Sequence, residues 1–452
     1  TPGALRECMR RGTACVHHPY KAGPFFILLP INTQPEVTKI NVRTLPGRTQ
    51  TPAIIPAPGA AMDTAVDLIR NHDRLVIKAG GGTRMHAEAL RKLASKIGAS
   101  VVLSPGSTGV MMDAHVQNMH VGGSKGSISG NYAMSHADAV IFIGSRGVCQ
   151  ADCSGIGYPQ AKAVLNINGD LDDLQHYATT TALPGDITAV INALLTALGD
   201  DTGLDRRRGW LRECEAAKHE WTAFKALRIH GAPVQDEVWQ KPVLTQPVAI
   251  HTVAEFAKQK GAIKFFDAGD VQANGFQIVE DDAPFQTFTE TGASYMGFAT
   301  SGLLGLTGMK DAPYGIAFTG DGSFMMNPQI LIDAVEHGVR GMVALFDNRR
   351  MAAITDLQIA QYGKEFKTSD SVPVDYRMMA AAVTGVKALW GGETRDELQA
   401  ALEEGFAHDG LSLLHIPVYA GREPLAGMGA YGNWNVGNWV EDVQDRYLQA
   451  KI

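Results

Sequence analysis

A chain of 452 residues, 45% apolar and 19% charged, has enough material for two or three buried cores. A net charge of −7 with both signs interspersed speaks against a nucleic-acid groove, and apolar runs such as 139–144 and 341–346 are far too short to span a membrane. The five cysteines (Cys8, Cys15, Cys149, Cys153 and Cys214) include one close pair and no second pair to complete a zinc site, which suits a reducing cytoplasm.

Taken in chain order, residues 4–17 have helical spacing, with Leu5, Cys8, Met9 and Cys15 toward one side, and 25–30 reads as a buried strand. One helix and one strand fall far short of a domain. Residues 1–50 are therefore expected to be the tail of a domain plus a Thr/Pro/Arg-rich linker, with an upstream part absent or removed, since no initiator methionine opens the chain. Residues 51–200 alternate: helix 61–71, strand 74–78, a turn at Gly80-Gly81-Gly82, helix 85–98, strands 100–104, 139–144 and 163–168, and helix 187–198. That rhythm predicts a parallel sheet covered on both faces. Residues 201–246 read as a charged helix followed by a Pro-containing linker. In that helix Trp210, Trp221 and Phe224 can pack on neighbours, and Arg206-Arg207-Arg208 is expected on a solvated face. A second βαβ region spans 247–420. The tail, 421–452, is rich in Gly, Asn and Trp and becomes helical over 439–449.

The stretch that carries chemistry is Gly320-Asp321-Gly322-Ser323-Phe324, followed by Asp347-Asn348. A strand (315–319) ends in Gly-Asp-Gly, a helix runs over 328–338, and a second strand (342–346) ends in Asp-Asn. The crossover sets both strand ends side by side at the sheet edge where α/β proteins bind ligands. Asp321 and Asn348 then offer a carboxylate and an amide oxygen, and the Arg350 backbone carbonyl a third hard donor. Magnesium favours such a set when phosphate oxygens complete it. Gly322 and Ser323 let the backbone approach a phosphate, assisted by the helix start. Read as a turn with a chance Asn nearby, the motif would mean nothing; two further stretches support the functional reading. Phe265-Phe266-Asp267-Ala268-Gly269-Asp270-Val271 is a strand–turn–helix start whose amides can cradle a terminal phosphate. Gly292-Ala293-Ser294-Tyr295-Met296-Gly297 carries a flexible, polarisable methionine suited to filling an irregular gap.

Together these stretches resemble the thiamine diphosphate (ThDP) enzymes of the acetolactate synthase and pyruvate oxidase superfamily, and the resemblance covers nearly the whole chain. It implies an α/β fold with two doubly wound parallel-sheet domains, a central Rossmann-like one (51–200) and a diphosphate-binding one (247–420), plus the tail of a third (1–50). It implies ThDP and Mg2+ as cofactors, with Asp321, Asn348 and the Arg350 carbonyl as metal ligands. Gly269, Asp270, Val271, Ser294, Gly320, Gly322, Ser323, Met351 and Ala352 then border the cofactor, and Met296 wedges between its rings to hold it bent. The family's central domain sometimes holds a flavin or an adenine nucleotide. Gly80-Gly81-Gly82 and Gly144-Ser145-Arg146-Gly147 lack a full GxGxxG and read first as structural turns.

Two departures stand out. The family's activating glutamate lies early in a pyrimidine-binding domain that 1–50 has no room for, so another chain or segment is expected to supply it, within a homo- or hetero-oligomer (dimer or tetramer). The stretch Asn348-Arg349-Arg350 and the later Ile354-Thr355-Asp356-Leu357-Gln358 are slightly similar to the trihydroxycyclohexanedione hydrolases of inositol breakdown. The resemblance thus implies a soluble, cytoplasmic lyase or carboligase (transferase) acting on a small oxo substrate, a 2-oxoacid or diketone. The alternatives are a cyclic-diketone C–C hydrolase or a non-catalytic ThDP- or nucleotide-binding regulatory subunit. The tail 428–434 is a candidate lid, though an interface or structural tail is the simpler expectation.

Overall fold

Short runs rich in Val, Ile, Leu and Phe alternate with amphipathic stretches, and in the computed structural model they become two six-stranded sheets with helices on both faces. The structure describes residues 1–47, 52–124, 126–147, 149–153, 155–290, 292–369, 372–428, 445, 448, 449, 451 and 452. The first sheet contains β1 (Leu75–Ala79), β2 (Ser100–Leu103), β3 (Asn118–Val121), β4 (Ala139–Ile143), β5 (Ala163–Asn168) and β6 (Thr180–Pro184) in the order β3-β2-β1-β4-β5-β6. A small antiparallel pair, β7 (Val234–Asp236) and β8 (Lys241–Val243), lies in the stretch expected to be linker. The second sheet contains β9 (Ile263–Phe266), β10 (Thr287–Thr289), β11 (Gly315–Gly320), β12 (Gly341–Asp347), β13 (Lys387–Trp390) and β14 (Leu411–Pro417), ordered β10-β9-β11-β12-β14-β13. Every pairing in both large sheets is parallel.

Side chains alternate between faces, so each sheet feeds two cores. In the first, Leu75, Ile77 and Ile141 pack with helices Ala60–Asn71, Ala87–Ile97 and Ile187–Leu198. Val76, Val140 and Phe142 point the other way, toward Met134, Trp210 and Cys214. Phe266, Phe318 and Phe346 of the second sheet join the first of these clusters through Val248, Val253 and Phe256, so one apolar core runs beneath both sheets. Lys78 is an exception within this pattern. It sits in β1, fully buried, and its Nζ donates to the carbonyls of Leu103 at 3.2 Å and Gly122 at 2.8 Å.

Three expectations fail, the first two for a tertiary reason. Residues 25–30 form no strand: Phe26 and Leu28 are 88% and 89% exposed, and among the described residues no strand lies beside them to pair with. Arg207 is not on a solvated face but completely buried. Its guanidinium collects the carbonyls of Ile69, His72 (2.8 Å), Ile97 (2.7 Å) and Thr202 (2.5 Å), gathering the ends of two helices and the turn that precedes its own. Burial lowers its pKa to about 10. We expect Arg207→Lys, which cannot fork to several carbonyls, to cost about 2 kcal/mol, read as a lowered thermal midpoint; an unchanged midpoint would contradict the hub role. Third, the helix after β11 begins at once (Asp321–Phe324), with a second segment at Ile330–Glu336, rather than starting at 328. The helix expected over 439–449 and the candidate lid 428–434 lie outside the described residues, apart from Met428, Asp445, Leu448 and Gln449.

Candidate functional site

In-register pairing of three parallel strands builds the site. Phe318 of β11 lies beside Phe266 of β9, and Gly320 of β11 beside Phe346 of β12, so the segments leaving all three strands emerge at one edge. Between them is a cavity of about 170 Å³. Its walls are Gly269, Asp270 and Val271 after β9; Gly320, Asp321, Gly322 and Ser323 after β11; and Asn348, Arg350, Met351 and Ala352 after β12. Ser294 and Met296 close the remaining side. All thirteen residues singled out from the sequence therefore border one space.

Each turn has a local reason for its shape. Gly269 has φ +99°, a conformation side chains disfavour, and it starts the helix Asp270–Ile278. Asp321 is buried, and its Oδ1 accepts the Gly322 N–H at 2.9 Å. Asn348 is buried too, and its Oδ1 accepts the Arg350 N–H at 3.1 Å. The Ser323 hydroxyl turns away to donate to the Ala268 carbonyl at 3.1 Å, tying two of the turns together. The Arg350 guanidinium is engaged by Glu365 at 2.6 Å and the Ala420 carbonyl at 2.6 Å.

The loop bearing Met296 is held from both ends. Asp267, at the end of β9, accepts the Gly297 N–H at 2.6 Å and the Thr319 hydroxyl at 2.7 Å. Burial pushes its carboxyl up from the ordinary range, against these donors. Glu290 takes the N–H groups of Gly292 (2.5 Å), Ala293 (3.0 Å) and Ser294 (2.6 Å). The result places the Met296 methyl over Gly322, where an added Cβ would come within 3.3 Å of it.

Of the residues bordering the cavity, Gln246 alone came from a stretch with no motif. It arrives at the start of helix Gln246–Lys260 and accepts a hydrogen bond from Asn274, so no local spacing signals it. Ala268, Phe346, Ala353 and Ile354 also line the cavity, from within or beside the stretches already singled out.

A second cavity, about 390 Å³, lies at the carboxyl ends of β1, β2, β4 and β5, between the Gly80–Gly82 and Gly144–Gly147 turns. Those glycines have a packing reason of their own: a Cβ on Gly80 would lie 2.2 Å from the Gly144 carbonyl oxygen. Thr289, Glu290 and Gly292 line this cavity, just ahead of the residues that line the first.

Among the described residues no group of three or more His, Cys, Asp or Glu side chains is arranged to hold a metal. A cation at Asp321 and Asn348 would therefore need ligand oxygens from a bound phosphate, which is how magnesium is usually held. The donor set and the glycine cradle both fit a diphosphate carried on a divalent ion. Among the described residues no helix is long and apolar enough to cross a membrane, and Cys8, Cys15 and Cys214 are free thiols.

Fold and site define an α/β protein of two parallel-sheet units whose ligand cavity opens at the carboxyl ends of the strands. The chain belongs to the thiamine pyrophosphate enzymes: residues 267–416 match the family's C-terminal TPP binding domain, and residues 62–194 its central domain. Among curated proteins it is 27% identical over 476 residues to 3D-(3,5/4)-trihydroxycyclohexane-1,2-dione hydrolase of Halalkalibacterium halodurans, an alignment covering 98% of this chain and 72% of that one. It is 25% identical to the protein of the same name from Bacillus subtilis, over 96% of this chain and 70% of the other. A probable acetolactate synthase large subunit of Methanocaldococcus jannaschii is 25% identical over 76% of this chain and 58% of its own.

Proposed function

We propose that this chain holds ThDP and Mg2+ in the 170 Å³ cavity and takes part in breaking a C–C bond next to a carbonyl, with a cyclic diketone as the substrate class and water as the second reactant. The observation that carries this reading is the meeting of Asp321, Asn348, Gly269 and Met296 around one space. The sequence favoured a lyase or carboligase over a ring-opening hydrolase; the hydrolase names of the relatives shift the preference to the latter. A lyase or carboligase remains the second reading, on the likeness to the acetolactate synthase subunit.

In this reading Asp321, the Asn348 amide and the Arg350 carbonyl would hold the cation, and the amides of Gly269, Asp270 and Val271 would bind the terminal phosphate. Met296 would pack against the cofactor's rings, and Asp267 holds the Met296 loop through the Gly297 N–H. ThDP when bound supplies a carbon nucleophile and an electron sink. The protein's part is to orient these groups and exclude water. Gly320, Gly322, Ser323 and Ser294 leave room for close approach, while Met351 and Ala352 border the far wall. Among the described residues no glutamate lines the cavity. The activating carboxylate is accordingly assigned to a pyrimidine-binding domain on another chain or segment, and where another chain supplies it the working enzyme is an oligomer.

The test is a calorimetric titration of ThDP with Mg2+, with and without a separately produced pyrimidine-binding partner, followed by an assay for ring opening of a cyclic diketone. Binding that requires Mg2+ and turnover that requires the partner are expected. Binding with no turnover in any combination would favour the regulatory-subunit reading instead.

A further inference from the structure

Behind Asn348, the last residue of β12 makes a buried contact across the sheet. His415, on the adjacent β14, brings Nε2 within 2.8 Å of Oδ2 of Asp347, and both side chains are 2% exposed. The other carboxylate oxygen, Oδ1, accepts the Arg349 N–H at 2.9 Å. Arg349 has φ +52°, a left-handed conformation that non-glycine residues adopt only when their surroundings hold them there. That turn lets the following N–H, of Arg350, reach Oδ1 of Asn348.

The imidazole itself is fixed. Trp390, Tyr376 and Trp239 pack around it with ring centroids 5.0, 5.2 and 5.9 Å away, the first two nearly edge-on. Asp375 lies 3.9 Å from its Nδ1. A ring enclosed in this way cannot swing aside, so the Asp347 carboxylate has one available position. A buried carboxylate without its donor would seek another, and the backbone bond to Arg349 would shift with it.

We propose that His415 is a positioning residue for the cation-binding turn: through Asp347 it holds Arg349 in its left-handed conformation and so fixes the Asn348 amide. The inference rests on the ThDP–Mg2+ reading of the cavity. Partners one shell removed from a metal commonly set its affinity by about ten- to a hundredfold, and a loss in that range is expected here.

Three variants test it. His415→Phe keeps a ring in the aromatic box but removes the donor. His415→Asn is too short to reach Asp347. His415→Gln can place an N–H near the position of Nε2. The readout is the Mg2+ concentration giving half-maximal ThDP binding by calorimetry, measured well below each variant's own unfolding midpoint. His415→Phe and His415→Asn should need about ten- to a hundredfold more Mg2+, and His415→Gln should return to within about threefold of wild type. Either His415→Phe or His415→Asn, folded and with wild-type Mg2+ dependence, overturns the proposal. So does a His415→Gln variant as impaired as His415→Phe. If wild type shows no Mg2+-dependent ThDP binding, the reading of the cavity fails instead, and the two failures are told apart by that control.

Discussion

Asp321→Ala should abolish Mg2+-dependent ThDP binding, a loss of at least about a hundredfold in affinity, while leaving the fold intact. Magnesium keeps several waters and takes only one or two carboxylates from a protein, so removing the carboxylate at the end of β11 leaves an amide and the phosphates, too little charge to retain the ion. The same side chain does modest structural work, accepting the neighbouring Gly322 N–H. Losing that bond costs about 1 kcal/mol. Calorimetry should thus show no heat of ThDP binding in a variant whose thermal midpoint falls by only a few degrees. Chelating Mg2+ from the wild type should have the same effect. Unchanged affinity in Asp321→Ala would remove the basis of the proposed function.

The second large effect concerns stability. Lys78 is buried beside the carbonyls of Leu103 and Gly122, and burial lowers its pKa from 10.5 to about 7, with Cys153 and Asp152 pulling weakly the other way. The sign follows from linkage. Between the folded and unfolded values the unfolded chain binds the proton and the folded chain does not, so stability rises with pH across that interval, by up to about 1.4 kcal/mol per unit. Below about pH 7 both states are protonated and the penalty is fully present, with a ceiling of about 5 kcal/mol. Lys78→Met removes this dependence but gives up two hydrogen bonds to carbonyls, worth about 2 kcal/mol. The variant should be more stable than wild type by about 2–3 kcal/mol near pH 6.5. The advantage should shrink or reverse as pH approaches about 10, where wild type folds around a neutral amine. Urea midpoints of both proteins at several pH values measure this. A difference independent of pH would show that Lys78 stays charged in the fold.

The legible parts of this molecule are those in which a short stretch dictates its own geometry. Gly320-Asp321-Gly322 and Asp347-Asn348 each follow a run of strand-forming residues, and a parallel crossover between them forces their ends together. Gly269 likewise marks a turn that only a left-handed residue allows. What the sequence hid depends on elements meeting in space. His415 looks like any strand residue until β14 docks beside β12. Arg207 belongs to a run of three arginines, and only the convergence of two helix ends makes the middle one a buried anchor. Residues 25–30 have the composition of a strand, but strand structure needs a neighbouring strand, and composition cannot supply one. The edge strands β3 and β6 were missed for a related reason: the polar Asn118 and His120, and the Thr-rich run ending at Pro184, carry little of the apolar pattern of the central strands.

The residue-by-residue pairing of β11 with β12, from Gly315 opposite Gly341 to Gly320 opposite Phe346, limits how this gene can drift. A strand's side chains alternate, so one codon gained or lost within either strand would turn its inward residues outward and move Asp321 or Asn348 off the shared edge. Length changes over this stretch should therefore survive only between the two strands, where the chain runs through loop and helix. The spacing of Asp321 and Asn348 can vary among descendants, while the strands on either side keep their count.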